Sequence, residues 1–453
     1  MPISQTGARM DTEADDYLNE WREVSLTSVA DIRFSSVNKV SQPGEEPVRL
    51  CNYTDVYKND YITADMDFMR ATATKSEIER FGLQVGDVII TKDSETPDDI
   101  GISTVVDTTA PDLVCGYHLA LLRPKQDEVD PTFLAKQLAH HRIARYFGQQ
   151  ANGTTRYGLS TAAISNAPLH LPGPENQRAA SALMRMVDAQ ISQTETVIAK
   201  LKQVWAGMLH DLLSYGLDEH GQLRDPIAHP EQFKDSPLGQ IPREWDVKPL
   251  SSVCQKIADR DHTTPVYVDD GIRMVSPIHF KGDDEIDFEA CPRITRDAHR
   301  KNCLKTDIRA GDLILHRIGA GLGQIRRVTP DMPEFSILHS LALVRTAPER
   351  ITADFLYWVI QSNAVKTQIS LGIQSIGVPD LGLDKIGNLL VLVPHNSDEQ
   401  TKIAQRLSLV ADSLKRETSA LNKAKHLKLG LQDDLLTGRV RVPETIMEGA
   451  ENA

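Results

Sequence analysis

Side chains able to do chemistry are plentiful in this chain of 453 residues, but they do not stand in the spacings that catalysis needs. No GxxxxGK[ST] run offers a backbone cradle for nucleotide phosphates, no HExxH sets two imidazoles on one helix face, and no GxSxG presents a serine nucleophile. An Asn/Asp-Pro-Pro-Tyr step, of the kind that serves a flipped base, is absent as well. In "LILHRIGAGLGQIRRV" the glycines Gly319, Gly321 and Gly323 follow a strand-like run. A dinucleotide site needs a helix to begin there. The continuation "QIRRVTPDMPEF" is strand-like and broken by Pro330 and Pro333, so a glycine-rich hairpin or loop is expected. The pair His140–His141 falls in a predicted helix with Arg142 and Arg145. Neighbouring helical residues point to different faces, which predicts a solvated or nucleic-acid-facing basic patch and not a shared metal.

The elements that carry these residues are written twice. "EWREVSLTSV" from Glu20 matches "EWDVKPLSSV" from Glu244 at an offset of 224, with Trp21 on Trp245, Leu26 on Leu250 and Val29 on Val253. "VRLCNYTDVY" lies on "IRMVSPIHF" at 224, "VGDVIITK" on "AGDLILHR" at 225, and "LSTAAISNAPLHLP" on "LGLDKIGNLLVLVP" at 222. With the long helices matching at 223, five matches in one order, with an offset drifting only as short insertions would move it, predict a duplication. In each copy short apolar runs such as "DVIIT", "DLILH" and "LLVLV" read as strands. A helical stretch follows ("PTFLAKQLAHHRIARYFGQQ", "TADFLYWVIQSNAVKTQIS"), and then a long helix.

The long helices carry a seam. Met184, Val187, Ile191, Thr194, Ile198, Leu201, Trp205, Met208 and Leu212 are spaced alternately by three and four, the pattern of a coiled coil. The same spacing gives Leu407, Val410, Leu414, Glu417, Leu421, Ala424, Lys428, Leu431 and Leu435, with Glu417 and Lys428 as polar interruptions. Pro172, Pro174 and Pro394 mark the starts, Glu175, Asp398 and Glu399 suit the positive helix end, and Gly216 and Gly438 mark the stops. Two seams separated by a globular segment can pair antiparallel. The alternative is that each helix is simply amphipathic and buried on its own domain.

The net charge is −13, yet residues 1–20, 217–247 and 441–453 hold ten of those charges, so the remaining body is nearly balanced and a nucleic-acid partner is not excluded. Five cysteines without a CxxC pair fit a reducing cytoplasm and argue against a zinc ribbon. No run of eighteen apolar residues suggests a membrane span, and the acidic first twenty residues do not read as a signal or transit peptide.

Each copy closes in "LPGPENQ" or "LVPHNSDEQ" and runs into a helix ending "HDLLSYG" or "DDLLTG", and "FKDSPLGQIPREW" joins the two. In this ordered set the chain resembles the specificity subunit of type I restriction-modification systems, from about Trp21 to Val440. "PENQ" departs from the Glu-Gln step seen at Glu399–Gln400. The resemblance implies an α+β fold in which two target-recognition domains, each a mixed sheet plus helices, are separated by two long antiparallel helices forming a coiled coil, with pseudo-two-fold symmetry. The expected division is an acidic tail at 1–19, a first recognition domain at 20–173, a long helix at 174–216, a linker at 217–241, a second recognition domain at 242–395, a second long helix at 396–438 and a tail at 439–453. The resemblance further implies double-stranded DNA with a bipartite site as partner. Two methyltransferase subunits would dock on the helices, alongside a motor-nuclease subunit. No cofactor is expected in this chain, and S-adenosylmethionine, ATP and magnesium would belong to the partners.

Base contacts do not carry over from the family, so candidates come from residue chemistry. Arg, Lys, Asn, Gln and His suit base edges, and Ser and Thr suit phosphates. In the first copy these are Asn52, Tyr53, Lys92, Ser94, Thr155, Arg156 and Tyr157, and in the second Ser276, His279, His316, Arg317, Gln374 and Ser375. Two rival readings stand beside this one. The first is a coiled-coil adaptor with two protein-binding heads, which the acidic total favours; the second is a nuclease or methyltransferase with an unrecognised motif.

Overall fold

A computed structural model describes residues 20–125, 127–282, 284–372 and 379–442. The chain forms two compact units, the first discontinuous and the second continuous in sequence. The first joins the residues up to Glu195 with those from Ala420 onward; the second spans Thr196–Ser419. Each unit therefore takes one globular copy together with a portion of both long helices.

In the first unit a five-stranded mixed sheet runs in the order Ala30–Phe34, Leu119–Pro124, Val88–Thr91, Ser103–Val106 and Tyr61–Ile62, with only the last pairing parallel. A second sheet of three sets Glu46–Cys51 between Met69–Ala73 and Leu113–Cys115. The apolar runs are continuous because the sheet is buried on both faces. Val88, Ile90, Ala120 and Leu122 enter one core, while Ile89, Leu119 and Leu121 enter another.

The second unit repeats the device. Cys254–Ala258, Leu341–Thr346, Leu313–His316 and Ile325–Arg327 form an antiparallel sheet. Leu313, Leu315 and Val344 point into one core, and Ile314, Leu341 and Leu343 into the other. Gly319, with φ 118°, and Gly323, with φ 92°, lie in the turn that joins the antiparallel strands Leu313–His316 and Ile325–Arg327, and no helix starts there.

The duplication reaches individual hydrogen bonds. The Gln177 side chain accepts from the Asp130 amide at 2.9 Å and donates to the Pro172 carbonyl at 2.8 Å. Gln400 does the same with Thr352 at 2.8 Å and Pro394 at 2.9 Å. Asp130 and Thr352 each cap the helix that follows. Inside each sheet an arginine grips a buried aspartate: Arg123 on Asp87 and Arg345 on Asp312, both at 2.8 Å.

The helices expected over "PTFLAKQLAHHRIARYFGQQ" and "TADFLYWVIQSNAVKTQIS" are each two. Breaks fall at His140 and Ser362, whose backbones are extended and whose positions match between the copies. The long helices run Pro174–Ser214 and Ser397–Thr437, 41 residues each, and glycines with positive φ follow at Gly216 and Gly438. At 1.5 Å per residue each is about 60 Å long. Their portions pack antiparallel within each unit. In the first, Asp188 meets Lys428 and Glu195 meets Lys425; in the second, Leu209 and Leu212 share a core with Ile403 and Leu407. Along the seam Met184, Ile191, Ile198, Leu212, Leu407 and Leu435 are buried, and Val187, Leu201, Trp205, Met208, Val410, Leu414, Leu421 and Leu431 are partly buried.

Segment 217–241, expected as a linker, is packed. Leu217, Phe233 and Ile241 are buried, and Phe233–Ser236 pairs with Gly239–Pro242. It is tied down by Glu399, which accepts from the Leu217 amide at 2.8 Å, from Arg224 at 2.6 Å and from the Trp245 indole at 3.2 Å. Among the described residues no helix is long and apolar enough to cross a membrane.

Candidate nucleic-acid interface

In the first unit, candidates from three separate stretches of chain come together. Asn52 caps the short helix Tyr53–Lys58, with the Asp55 carboxylate accepting from its amide at 2.7 Å. The cap fixes Tyr53, whose ring stacks on Tyr57 with centroids 5.6 Å apart. Burial pushes the Tyr53 phenol up, while its hydrogen bond to Ser94 pulls the other way. Ser94 is buried and pairs with Tyr157 across a two-residue ribbon. That ribbon is the base of the "NGTTRYG" loop, which leaves Thr155 and Arg156 exposed. Gly153, at φ 150°, is required there: a Cβ would stand 2.0 Å from the Arg156 carbonyl oxygen. The Lys92 ammonium lies 4.6 Å from the Tyr117 ring centre and 5.7 Å from that of Phe34.

Sequence reasoning missed three members of this cluster. Tyr57 is 43% and Tyr117 51% exposed, which is unusual for large rings, and His118 is held by Asp93 at 2.7 Å. The signal for Tyr57 was its spacing of four from Tyr53, which sets both rings on one helix face.

In the second unit the expected readers behave differently. His279, His316 and Arg317 are buried. The His279 ring accepts from the Ser276 amide at 2.9 Å, the counterpart of the Asn52–Asp55 cap. His316 bonds the Ile318 carbonyl at 2.7 Å, and burial holds its pKa below the ordinary imidazole value. The Arg317 guanidinium is divided among Asp259 at 3.1 Å, the His339 carbonyl at 2.8 Å, Asp380 at 3.0 Å and the Leu381 carbonyl at 3.2 Å. These three side chains brace the glycine loop from inside, so the expectation that they reach base edges is corrected: burial and internal partners hold them away. Ser276 is partly buried at its cap, and Gln374 and Ser375 lie outside the described residues.

The histidine pair also departs from expectation. His140 is not helical but caps the next helix, so both rings turn to one carboxylate. His140 lies 3.0 Å and His141 3.7 Å from Asp433, with ring centres 4.1 Å apart. Burial first, then His141, Arg142 and Arg439, press the His140 pKa down to about 4. Their ligand atoms lie within 4.8 Å of one another, a spacing a metal could use. Arg439 already occupies Asp433, however, and the surrounding cations oppose another. The geometry is that of a hydrogen-bonded helix junction.

A duplicated α+β protein, with a mixed-sheet head on a helix pair in each unit, is the class these observations define. Residues 19–203 match the family model described as the type I restriction modification DNA specificity domain. The type I restriction enzyme MjaVIII specificity subunit of Methanocaldococcus jannaschii is 24% identical over 304 residues, covering 66% of this chain and 68% of that protein. The crystal structure of the type I restriction-modification system S subunit from M. genitalium superposes with a TM-score of 0.59 at 15% identity, over 92% of this chain and 96% of that one; this likeness concerns the fold alone. Over these residues the chain is similar to the specificity subunits of type I restriction-modification systems.

Proposed function

We propose that this chain reads a bipartite DNA sequence, each globular copy taking one half, without performing chemistry itself. The long helices set the distance between the half-sites and dock two methyltransferase subunits. S-adenosylmethionine, ATP and magnesium serve those partners and a motor-nuclease subunit in the cytoplasm. The observation that carries the reading is the convergence of Asn52, Tyr53, Lys92, Ser94, Arg156 and Tyr157 beside exposed Tyr57 and Tyr117. Stackable rings, an ammonium held against them and an exposed guanidinium on a glycine-tight loop are what a groove-reading surface requires.

The test is methylation mapping of host DNA with and without this chain. The expected result is methylated sites, each made of two short sequences at fixed spacing, that vanish with the chain. Exchanging residues 20–172 for another homologue's segment should alter one half-site only, and an added heptad in both long helices should alter the spacer. Unchanged methylation without the chain, or changes in both half-sites, would refute the reading. In that event the absence of salt-dependent retention on DNA-cellulose would favour the adaptor alternative.

A further inference from the structure

Buried donors without partners collect at one place in the second unit. Arg260 is 4% exposed. One terminal nitrogen donates to the Thr263 carbonyl at 2.6 Å and its hydroxyl at 2.9 Å, while Nε and the other terminal nitrogen meet no acceptor among the described residues. The neighbouring acids are engaged elsewhere: Asp259 holds Arg317 and Asp261 holds Lys305. His339 Nδ1 and the Ser340 hydroxyl, adjacent on the chain, are also buried and unpartnered. His262 stacks on His339 with ring centres 4.5 Å apart. Burial first, then His262, Arg260 and Arg317, hold the His339 pKa down against the Asp259 carboxylate, so cationic groups outnumber the one acid acting on this ring.

Asp261 still acts on Arg260 through space, but a buried guanidinium that no carboxylate bonds is costly. Its planar fork matches two oxygens of a phosphate, and a serine hydroxyl and an imidazole N–H are apt third and fourth donors. The duplication adds an independent pointer. At the known offsets Arg317, His339 and Ser340 correspond to Lys92, Tyr117 and His118, members of the first unit's candidate interface, while Arg260 corresponds to Ser36. The guanidinium is thus a feature of the second copy alone, at the place where the first copy presents its own cluster. Residues 261–264, which follow Arg260, are exposed.

We propose that Arg260, with His339 and Ser340, forms an anion site that takes a backbone phosphate of DNA, the segment 261–264 moving aside as it enters. This rests on the DNA-reading function above. The test uses the full-length chain and two probes. In the first arm, thermal unfolding is followed in inorganic phosphate and in chloride at equal ionic strength. Phosphate should raise the wild-type melting temperature saturably and leave Arg260→Gln unmoved, with Arg260→Lys between them. In chloride the Arg260→Gln chain should melt no lower than wild type. In the second arm, DNA binding with the methyltransferase partner is measured against salt. The logarithmic slope should fall by about 0.9 in Arg260→Gln, one phosphate contact, with sequence preference unchanged.

No phosphate effect on the wild type, or a large loss of stability of Arg260→Gln in chloride, overturns the site and makes Arg260 a structural prop. Phosphate binding with an unaltered DNA slope overturns the backbone assignment in favour of a free anion. Wild-type chain that fails to bind DNA at any salt defeats the DNA reading, while the first arm still decides the anion site.

Discussion

Lys428 interrupts an apolar seam, and the first unit shows what it does there. Its ammonium lies 2.7 Å from Asp188 and 2.8 Å from Asp60, and Lys136 reaches the same two carboxylates at 2.8 and 2.9 Å. The Tyr61 hydroxyl donates to Asp188 at 2.8 Å. Replacing Lys428 by Met leaves two carboxylates to share one ammonium, with Asp188 only 7% exposed. Removing one partner of a buried ion pair costs about 3–5 kcal/mol. Lys428 is 22% and Asp60 49% exposed, so solvent screening reduces the expectation to about 2–3 kcal/mol. For a unit of this size that is a melting point lower by about 5–10 °C. The control is Lys425→Met, whose partner Glu195 is half-exposed, at a cost below about 1 kcal/mol. Thermal and urea unfolding of the full chain measure both. Burial alone would raise the Asp60 carboxyl, but Lys136 and Lys428 hold it at about 2. A carboxyl lowered in the folded state stabilises above its unfolded value of about 4, and that stabilisation is lost as pH falls toward 2. The gap between wild type and Lys428→Met should therefore close over the same window. Equal melting of the two lysine variants at pH 7, or a gap that persists at pH 2, would refute the buried-cluster account.

Three further outcomes are expected. Gly153→Ala should destabilise the first unit by about 1–3 kcal/mol because φ 150° and the Arg156 carbonyl both exclude a Cβ, whereas Gly44→Ala, with nothing within 4 Å, should cost less; urea unfolding compares them. Glu399→Gln should cost about 2–3 kcal/mol by leaving buried Arg224 only the exposed Glu244 carboxylate, and a change in Trp245 fluorescence should report the loss, since that indole donates to the same group. In proton NMR the His140 ring should stay neutral down to about pH 5, below the ordinary value near 6.5. A histidine whose folded pKa is lowered favours the neutral form, so its contribution to stability is full above pH 6.5 and is lost as pH falls toward 4.

The framework was legible because it is written in repeated, local terms. Gln177 and Gln400 sit at one offset and make one pair of bonds, and the alternating three–four spacing announced which helix positions turn inward. Continuous runs such as "VIIT" announced strands covered on both faces, though not that Ile89 and Ile90 serve different cores. What sequence left hidden depends on distant partners. Arg317 reads as a DNA-facing cation until Asp259, 58 residues away, and Asp380, 63 away, are seen to hold it. His140 reads as helical because no local residue announces the break, and its second partner, Asp433, comes from the other end of the chain. The Tyr53–Ser94–Tyr157 convergence needs three segments folded together, so spacing could nominate its members but not join them.

The places where the two copies differ explain why one chain carries both. Offsets from the repeat set Lys428 against Trp205, Asp188 against Ala411 and Lys136 against Trp358. In the first unit these positions hold the ion cluster. In the second Trp205 packs on Trp358 at 6.2 Å, Ala411 packs against the same core, and the Trp358 indole donates to Ser408 at 3.3 Å. Each set is consistent only as a whole. A second copy of the first half, offered to the first unit, would bring Trp205 to the place of Lys428 and leave Asp188 and Asp60 short of a cation. A second copy of the second half would bring Lys428 against Trp358, where the acids Asp284 and Asp354 are already paired with Arg327. Either mismatch buries a charge without its partner, which costs more than a matched apolar contact returns. Divergence at these three positions therefore fits each half to the other and against a second copy of itself, which is the condition for a chain whose two heads are to remain different.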